Sequence, residues 1–170
     1  MVSKTRPIGV LFVCVGNICR SPCLEAILRQ MIEEKGLTKE VFVDSCAISS
    51  YHAGCRADHR MRHHARQRGI EIDHVAKVFD PAFLEEFDYI FAVDSEVKEY
   101  LLSHSTKGNA RKIYLATAFS EYYSMDEIPD PYYGDGNGFL LTLDMAYDCC
   151  LSILKRIEKH LHERDTSHSP

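Results

Sequence analysis

One stretch constrains this chain more than any other: Cys14-Val15-Gly16-Asn17-Ile18-Cys19-Arg20-Ser21-Pro22, preceded by the apolar run Ile8-Gly9-Val10-Leu11-Phe12-Val13. A short run that is apolar throughout and rich in β-branched and aromatic types predicts a parallel strand buried on both faces. Ser21 followed by Pro22 predicts a helix that is capped by the serine and starts at the proline. Leu24, Ile27, Leu28, Met31 and Ile32 then share one helical face, and Gly36 is a natural stop. The start of the chain therefore reads strand, loop, helix, with a cysteine and an arginine at the two ends of the loop.

The pattern continues. Val41–Val43 together with Cys46–Ile48 predicts a second strand, and Asp58–Arg68 a polar helix ending near Gly69. Asp80-Pro81 opens a short helix by the same cap-then-proline logic. Tyr89–Val93 predicts a strongly buried strand, Asp94-Ser95 the cap of the next helix, and Lys112–Leu115 a further strand. From Leu143 to Leu161 an apolar stripe recurs at helical spacing, and the polar residues 164–170 are expected to form a disordered tail. Strands alternating with helices imply an α/β fold with a parallel sheet covered on both faces. A length of 170 residues, with no internal repeat or linker, implies a single domain, bounded here at 1–163. The longest irregular stretch, roughly 120–138, is a candidate functional loop.

Composition excludes some classes of function. A net charge of −5 without a long run of one sign argues against nucleic acid as the main partner. No apolar stretch approaches the roughly 20 residues of a membrane span, and the first is too short for a signal peptide core, so a cytoplasmic protein is expected. Seven cysteines, an odd number in a chain of this size, read as reduced thiols. No pair of CxxC motifs supports a structural zinc site. His59, His63 and His64 are metal ligands by type, but the interleaved arginines repel a cation and make the run a solvated helix face.

The loop itself has the makings of an oxyanion site. Residues 15–19 are enough to curl backbone N–H groups inward beneath a helix N-terminus, a ready site for a tetrahedral anion. Gly16 is free to adopt positive φ and Asn17 tolerates it. Arg20 offers a planar fork for two phosphate oxygens. The same field favours a thiolate at Cys14, which would attack phosphorus and carry the phosphoryl group covalently. Ser21 is placed to donate a hydrogen bond to that sulfur. The glycine spacing and Lys-Ser/Thr ending of a nucleotide-binding P-loop are absent.

The segment Val13–Pro22 resembles the signature of the low-molecular-weight protein tyrosine phosphatases, and length, strand-helix order and a late Asp-Pro extend the resemblance over nearly the whole chain. The resemblance implies a four-stranded parallel sheet with helices on both sides, a cysteine nucleophile (Cys14), an arginine clamp (Arg20), no metal and no other cofactor. It implies phosphotyrosine-containing proteins as partners and a monomer or weak dimer. It makes Asp130, in Ile128-Pro129-Asp130-Pro131-Tyr132-Tyr133, the general acid; read from its residues alone, Asp130 is as readily a turn former before proline. Asp126 and Asp135 are the fallback carboxylates. Tyr132 and Tyr133 would line the pocket mouth, with loop packing as the alternative; Tyr51 would be a pocket-wall aromatic that contacts substrate, with core or surface filler as the alternative. Asn17 and His74 resemble a buried pair supporting the loop, with Lys77 where the family often has arginine; a solvated His74 is the alternative. Cys19, in the same loop, offers Cys14 a disulfide partner under oxidation.

Three other functions use the same residues. Arsenate reductases of this type need relay cysteines near positions 80–95, and none occurs between Cys55 and Cys149. Protein arginine phosphatases tend to carry threonine where Ile18 stands. A non-catalytic phosphate-binding module would have no use for Cys14, Arg20 and Asp130 together.

Overall fold

The computed structural model describes residues 6–132, 134 and 136–167. Its core is a parallel sheet of four strands in the order β2-β1-β3-β4. These are β1 (Ile8–Cys14), β2 (Val41–Ala47), β3 (Tyr89–Ala92) and β4 (Ile113–Leu115). Every residue of β1 is buried, which its unbroken apolar run requires, and the strand pairs with β2 on one side and β3 on the other.

The helices are α1 (Arg20–Glu34), α2 (His59–Gln67), α3 (Phe83–Glu86), α4 (Ser95–Ser103) and α5 (Gly136–Ser167). From β1 the chain crosses through α1 to β2, in one direction along the sheet. From β3 it crosses through α4 to β4, in the other. Right-handed crossovers in opposite directions put α1 and α4 on opposite faces, and α5 packs against α1. The strand order reverses between β1 and β3, and a crevice opens there beyond the carboxyl ends of both strands. Cys14 closes β1 at that point, and Asp94 follows β3.

Three local expectations need correction. Helix α1 begins at Arg20, with Cys19 in the cap position and no side-chain cap, so Ser21 lies inside the first turn; its hydroxyl is taken up by Cys14 instead. Gly16 has no positive φ; Asn17, at φ 58°, is the left-handed residue of the loop. Residues 164–167, expected in a disordered tail, continue α5, because no glycine or proline stops it and Arg164 donates to the carbonyl of Arg6. The cap at Asp94 forms as read, and Asp58, read as the first residue of α2, is the cap of that helix; each carboxylate accepts a backbone N–H of its helix. Among the described residues no helix is long and apolar enough to cross a membrane.

Candidate active site

The segment from Cys14 to Arg20 wraps around the Cys14 sulfur. The carbonyls of Cys14, Val15, Ile18 and Cys19 all accept hydrogen bonds from residues beyond the loop: Ile48, Ser49, Asp58 and Cys23. In a trans peptide the N–H points opposite to the preceding C=O. With these carbonyls turned outward, the N–H groups of Val15, Gly16, Cys19 and Arg20 turn to the inner side, where a tetrahedral anion would meet them. Two donors already aim at the sulfur: the Asn17 N–H at 3.1 Å and the Ser21 hydroxyl at 2.9 Å.

Asn17 holds this curl. Its side-chain N–H₂ donates to Ser21 Oγ (2.8 Å) and Ser45 Oγ (2.9 Å), and its oxygen accepts from the Lys77 N–H and from His74 Nε2 (2.7 Å). Because Asn17 donates to Ser21, the Ser21 O–H is free to point at sulfur. Ser45 in turn donates to Glu25 Oε1 at 2.7 Å, and Glu25 pairs with Arg29. Burial holds the His74 pKa below its usual value against the pull of Glu25 and Asp44. The short contact with an amide oxygen requires a proton on Nε2, and Nδ1 lies 3.2 Å from Glu25 Oε1. A depressed histidine pKa contributes stability that is present above the unfolded value of about 6.5 and lost as pH falls. The urea midpoint advantage of the wild type over His74→Gln is therefore expected to shrink as pH drops from about 7.5 toward 5; a constant advantage would contradict a lowered His74 pKa.

Arg20 is 4% exposed. It donates to Asp94 Oδ2 at 2.7 Å and to the Ile128 carbonyl at 3.0 Å, and its other terminal nitrogen lies 3.7 Å from Asp130 Oδ2. Burial opposes its charge, but Cys14 and the bond to Asp94 raise its pKa above the usual arginine value. Burial and the nearby Asp58 push the Cys19 thiol up, so it stays protonated.

A cleft of about 480 Å³ opens over the loop. Its floor is Cys14, Gly16, Cys19 and Arg20, and its walls are Ile18, Ser49, Tyr51, His52, Tyr132 and Asp130. Tyr51 stands at the rim, 84% exposed, edge-on to His52, which faces Tyr132 across 5.7 Å. Asp130 is exposed and accepts the Tyr132 N–H at 3.0 Å. Thus Cys14, Arg20, Asp130, Tyr51 and Tyr132 converge on one cleft, with Asn17, Ser21 and His74 beneath it. Tyr133 and Asp135 lie outside the described residues. Asp126 is exposed, and the contact it makes to Thr117 is through its backbone carbonyl.

Sequence reading saw Asp94 only as a helix cap and passed over Ser45, Glu25 and His52. Asp94 does two jobs, one oxygen capping α4 and the other anchoring Arg20; its place after a strand beside β1 was the available signal. Glu25 was legible as a carboxylate within the apolar run of α1. Among the described residues, ligand-type atoms of Glu25, Asp44 and His74 lie within 4.8 Å of one another. Lys77 on Asp44 and Arg29 on Glu25 already supply cations there, so the group is an ion-pair network rather than a metal site.

An α/β domain with a cysteine-centred anion loop at its topological switch point defines a class, and comparison narrows it. The family described as low molecular weight phosphotyrosine protein phosphatase matches residues 9–163. A protein of that name from Schizosaccharomyces pombe is 39% identical over 157 residues, covering 90% of this chain and 99% of that one. The human protein of that name is 34% identical over 150 residues, covering 87% and 94%. The crystal structure of a protein tyrosine phosphatase from Entamoeba histolytica, with Hepes in its active site, aligns with a TM-score of 0.88 at 36% identity, covering 90% and 98%. A Drosophila arginine phosphatase aligns with a TM-score of 0.80 at 29% identity, covering 87% and 96%. The chain belongs to the low molecular weight phosphotyrosine protein phosphatase family.

Proposed function

We propose that this chain hydrolyses phosphotyrosine in proteins, and small aryl phosphates, through a phospho-cysteine intermediate on Cys14. One observation carries the reading: Cys14 and Arg20 on the floor of one cleft share it with Asp130 on its wall, 3.7 Å from the Arg20 guanidinium, beside Ile18, Tyr51, His52 and Tyr132. Flat apolar walls fit an aryl ring, and the loop fits the phosphate at its end.

In the first step the Cys14 thiolate attacks phosphorus and the ester P–O bond breaks. Asp130 gives its proton to the departing aryl oxygen. The inward N–H groups and Arg20 bind the three equatorial oxygens, where charge gathers in the transition state. In the second step water attacks phosphorus, Asp130 takes the proton it gives up, and the S–P bond breaks to release inorganic phosphate. The Ser21 hydroxyl supports the sulfur as it leaves. Cys19, protonated and in the same loop, is the reserve disulfide partner of Cys14 under oxidation. Seven reduced thiols fit a cytoplasmic setting, and the chain is taken as a monomer or weak dimer.

Asp130→Asn tests the acid. Its kcat/KM toward phenyl phosphate, whose leaving group needs a proton, is expected to fall by about 10²–10⁴. Toward 2,4-dinitrophenyl phosphate, whose leaving group does not, the loss is expected to stay under about tenfold. Equal losses on both substrates would remove Asp130 from the role. Faster turnover of a phosphoarginine peptide than of its phosphotyrosine counterpart would move the reading to an arginine phosphatase.

A further inference from the structure

The acid-bearing loop is remote in sequence from the phosphate loop, and something must hold the two in register. Arg60, in the first turn of α2, spans them. Its Nε and one terminal nitrogen grip both oxygens of Asp58, at 3.0 and 2.8 Å. The Asp58 backbone N–H donates to the carbonyl of Ile18 in the phosphate loop at 2.8 Å. That same terminal nitrogen of Arg60 donates to the Tyr132 carbonyl at 3.1 Å. The guanidinium lies over the Tyr132 ring, 5.5 Å from its centroid, and over Phe139 of α5, at 4.8 Å. The Tyr132 N–H closes the chain on Asp130 Oδ1.

We propose that Arg60 is a positioning residue for the general acid: through Tyr132 it sets where Asp130 stands over the phosphate loop. The inference rests on the reading of Asp130 as the proton donor. Arginine suits the task because its rigid fork holds the Asp58 carboxylate and a carbonyl together while its plane stacks on rings. Arg60 does not line the cleft, so it acts on the reaction only through the residues it holds.

The consequence is selective. A displaced acid hurts only those substrates whose leaving group needs its proton, whereas damage to the phosphate loop would hurt all of them. Arg60→Met keeps much of the stem's packing and removes the fork. Its kcat/KM toward phenyl phosphate is expected to fall about tenfold, the scale of a small misplacement of a catalytic group. Toward 2,4-dinitrophenyl phosphate, and in the inhibition constant of inorganic phosphate, the change is expected to stay under about twofold. In an Asp130→Asn background, Arg60→Met is expected to cost nothing further on phenyl phosphate. Arg60→Lys serves if the methionine variant is unstable: a compact ammonium cannot hold both partners in the same geometry, so the same selective loss is expected at smaller amplitude. Equal losses on the two aryl phosphates, or no loss on phenyl phosphate, would overturn the proposal. If Asp130→Asn shows its leaving-group selectivity while Arg60→Met does not, Arg60 alone has been misassigned. If Asp130→Asn shows none, the acid itself has been.

Discussion

Cys14→Ser is expected to abolish turnover of phenyl phosphate, by about 10⁴-fold or more, while inorganic phosphate still binds. A serine hydroxyl stays protonated near neutral pH, and nothing in this loop is placed to take its proton. The groups around it are donors, the Asn17 N–H and the Ser21 hydroxyl. They stabilise a thiolate and offer an alcohol no base. The anion site itself belongs to the backbone and to Arg20, neither of which the substitution touches. Rapid quenching followed by intact mass is expected to show a phosphoryl adduct on the wild type and none on the variant. An adduct on Cys14→Ser, or residual turnover within about tenfold of the wild type, would place the nucleophile elsewhere.

Arg20→Met has the second large effect, and it falls on both binding and stability. The guanidinium would supply charge-assisted hydrogen bonds to two phosphate oxygens, each worth about 1.5–3 kcal/mol. Losing both weakens phosphate binding by roughly 10²–10⁴-fold, at about 1.4 kcal/mol per decade. In the free protein the same change leaves Asp94, whose side chain is 10% exposed, without the cation 2.7 Å away. Removing one partner of a buried pair costs about 3–5 kcal/mol. The N–H of Val97 still caps Asp94 and softens that loss, so about 3 kcal/mol is expected from urea unfolding. A variant as stable as the wild type would mean that Arg20 and Asp94 are not coupled as their geometry implies.

The fold was legible where one rule acted alone. Strand β1 is apolar throughout because it is covered on both faces, and Asp94 caps its helix as its position predicts. Reading faltered where a residue serves the site. The reading of β2 rested on the apolar residues either side of Asp44 and Ser45 and passed over those two, yet Ser45 is wholly buried, satisfied by Asn17 and Glu25. Ser21 read as a cap because Ser-Pro usually is one, but its hydroxyl is claimed by the sulfur. The start of α5 was hidden because Gly136-Asn137-Gly138 has poor helix propensity. A side chain at Gly138 would press on Pro131, with Cβ atoms 3.3 Å apart, so glycine there lets the helix start lie close against the acid-bearing loop. The site's nucleophile and clamp were legible because they share one short loop. The Asp94 anchor, 74 positions from Arg20, and the Arg60 bridge, 72 from Tyr132, exist only once the sheet and helices are assembled.

The two halves of the reaction rest on parts of the molecule with different depth. Cys14 ends a strand that is buried along its whole length and hydrogen-bonded on both sides, so exposing it means dismantling the sheet. Asp130 stands on a segment where Glu121, Tyr122, residues 124–127 and Pro129 are all exposed, tied down chiefly at Ile128, Tyr132 and Ser120. Segments of the second kind open at a small fraction of the global unfolding free energy. On the proposed reading the proton donor therefore stands on a surface segment, while the sulfur is fixed in the core. The proposed acid and the proposed nucleophile thus belong to separate layers of one small domain.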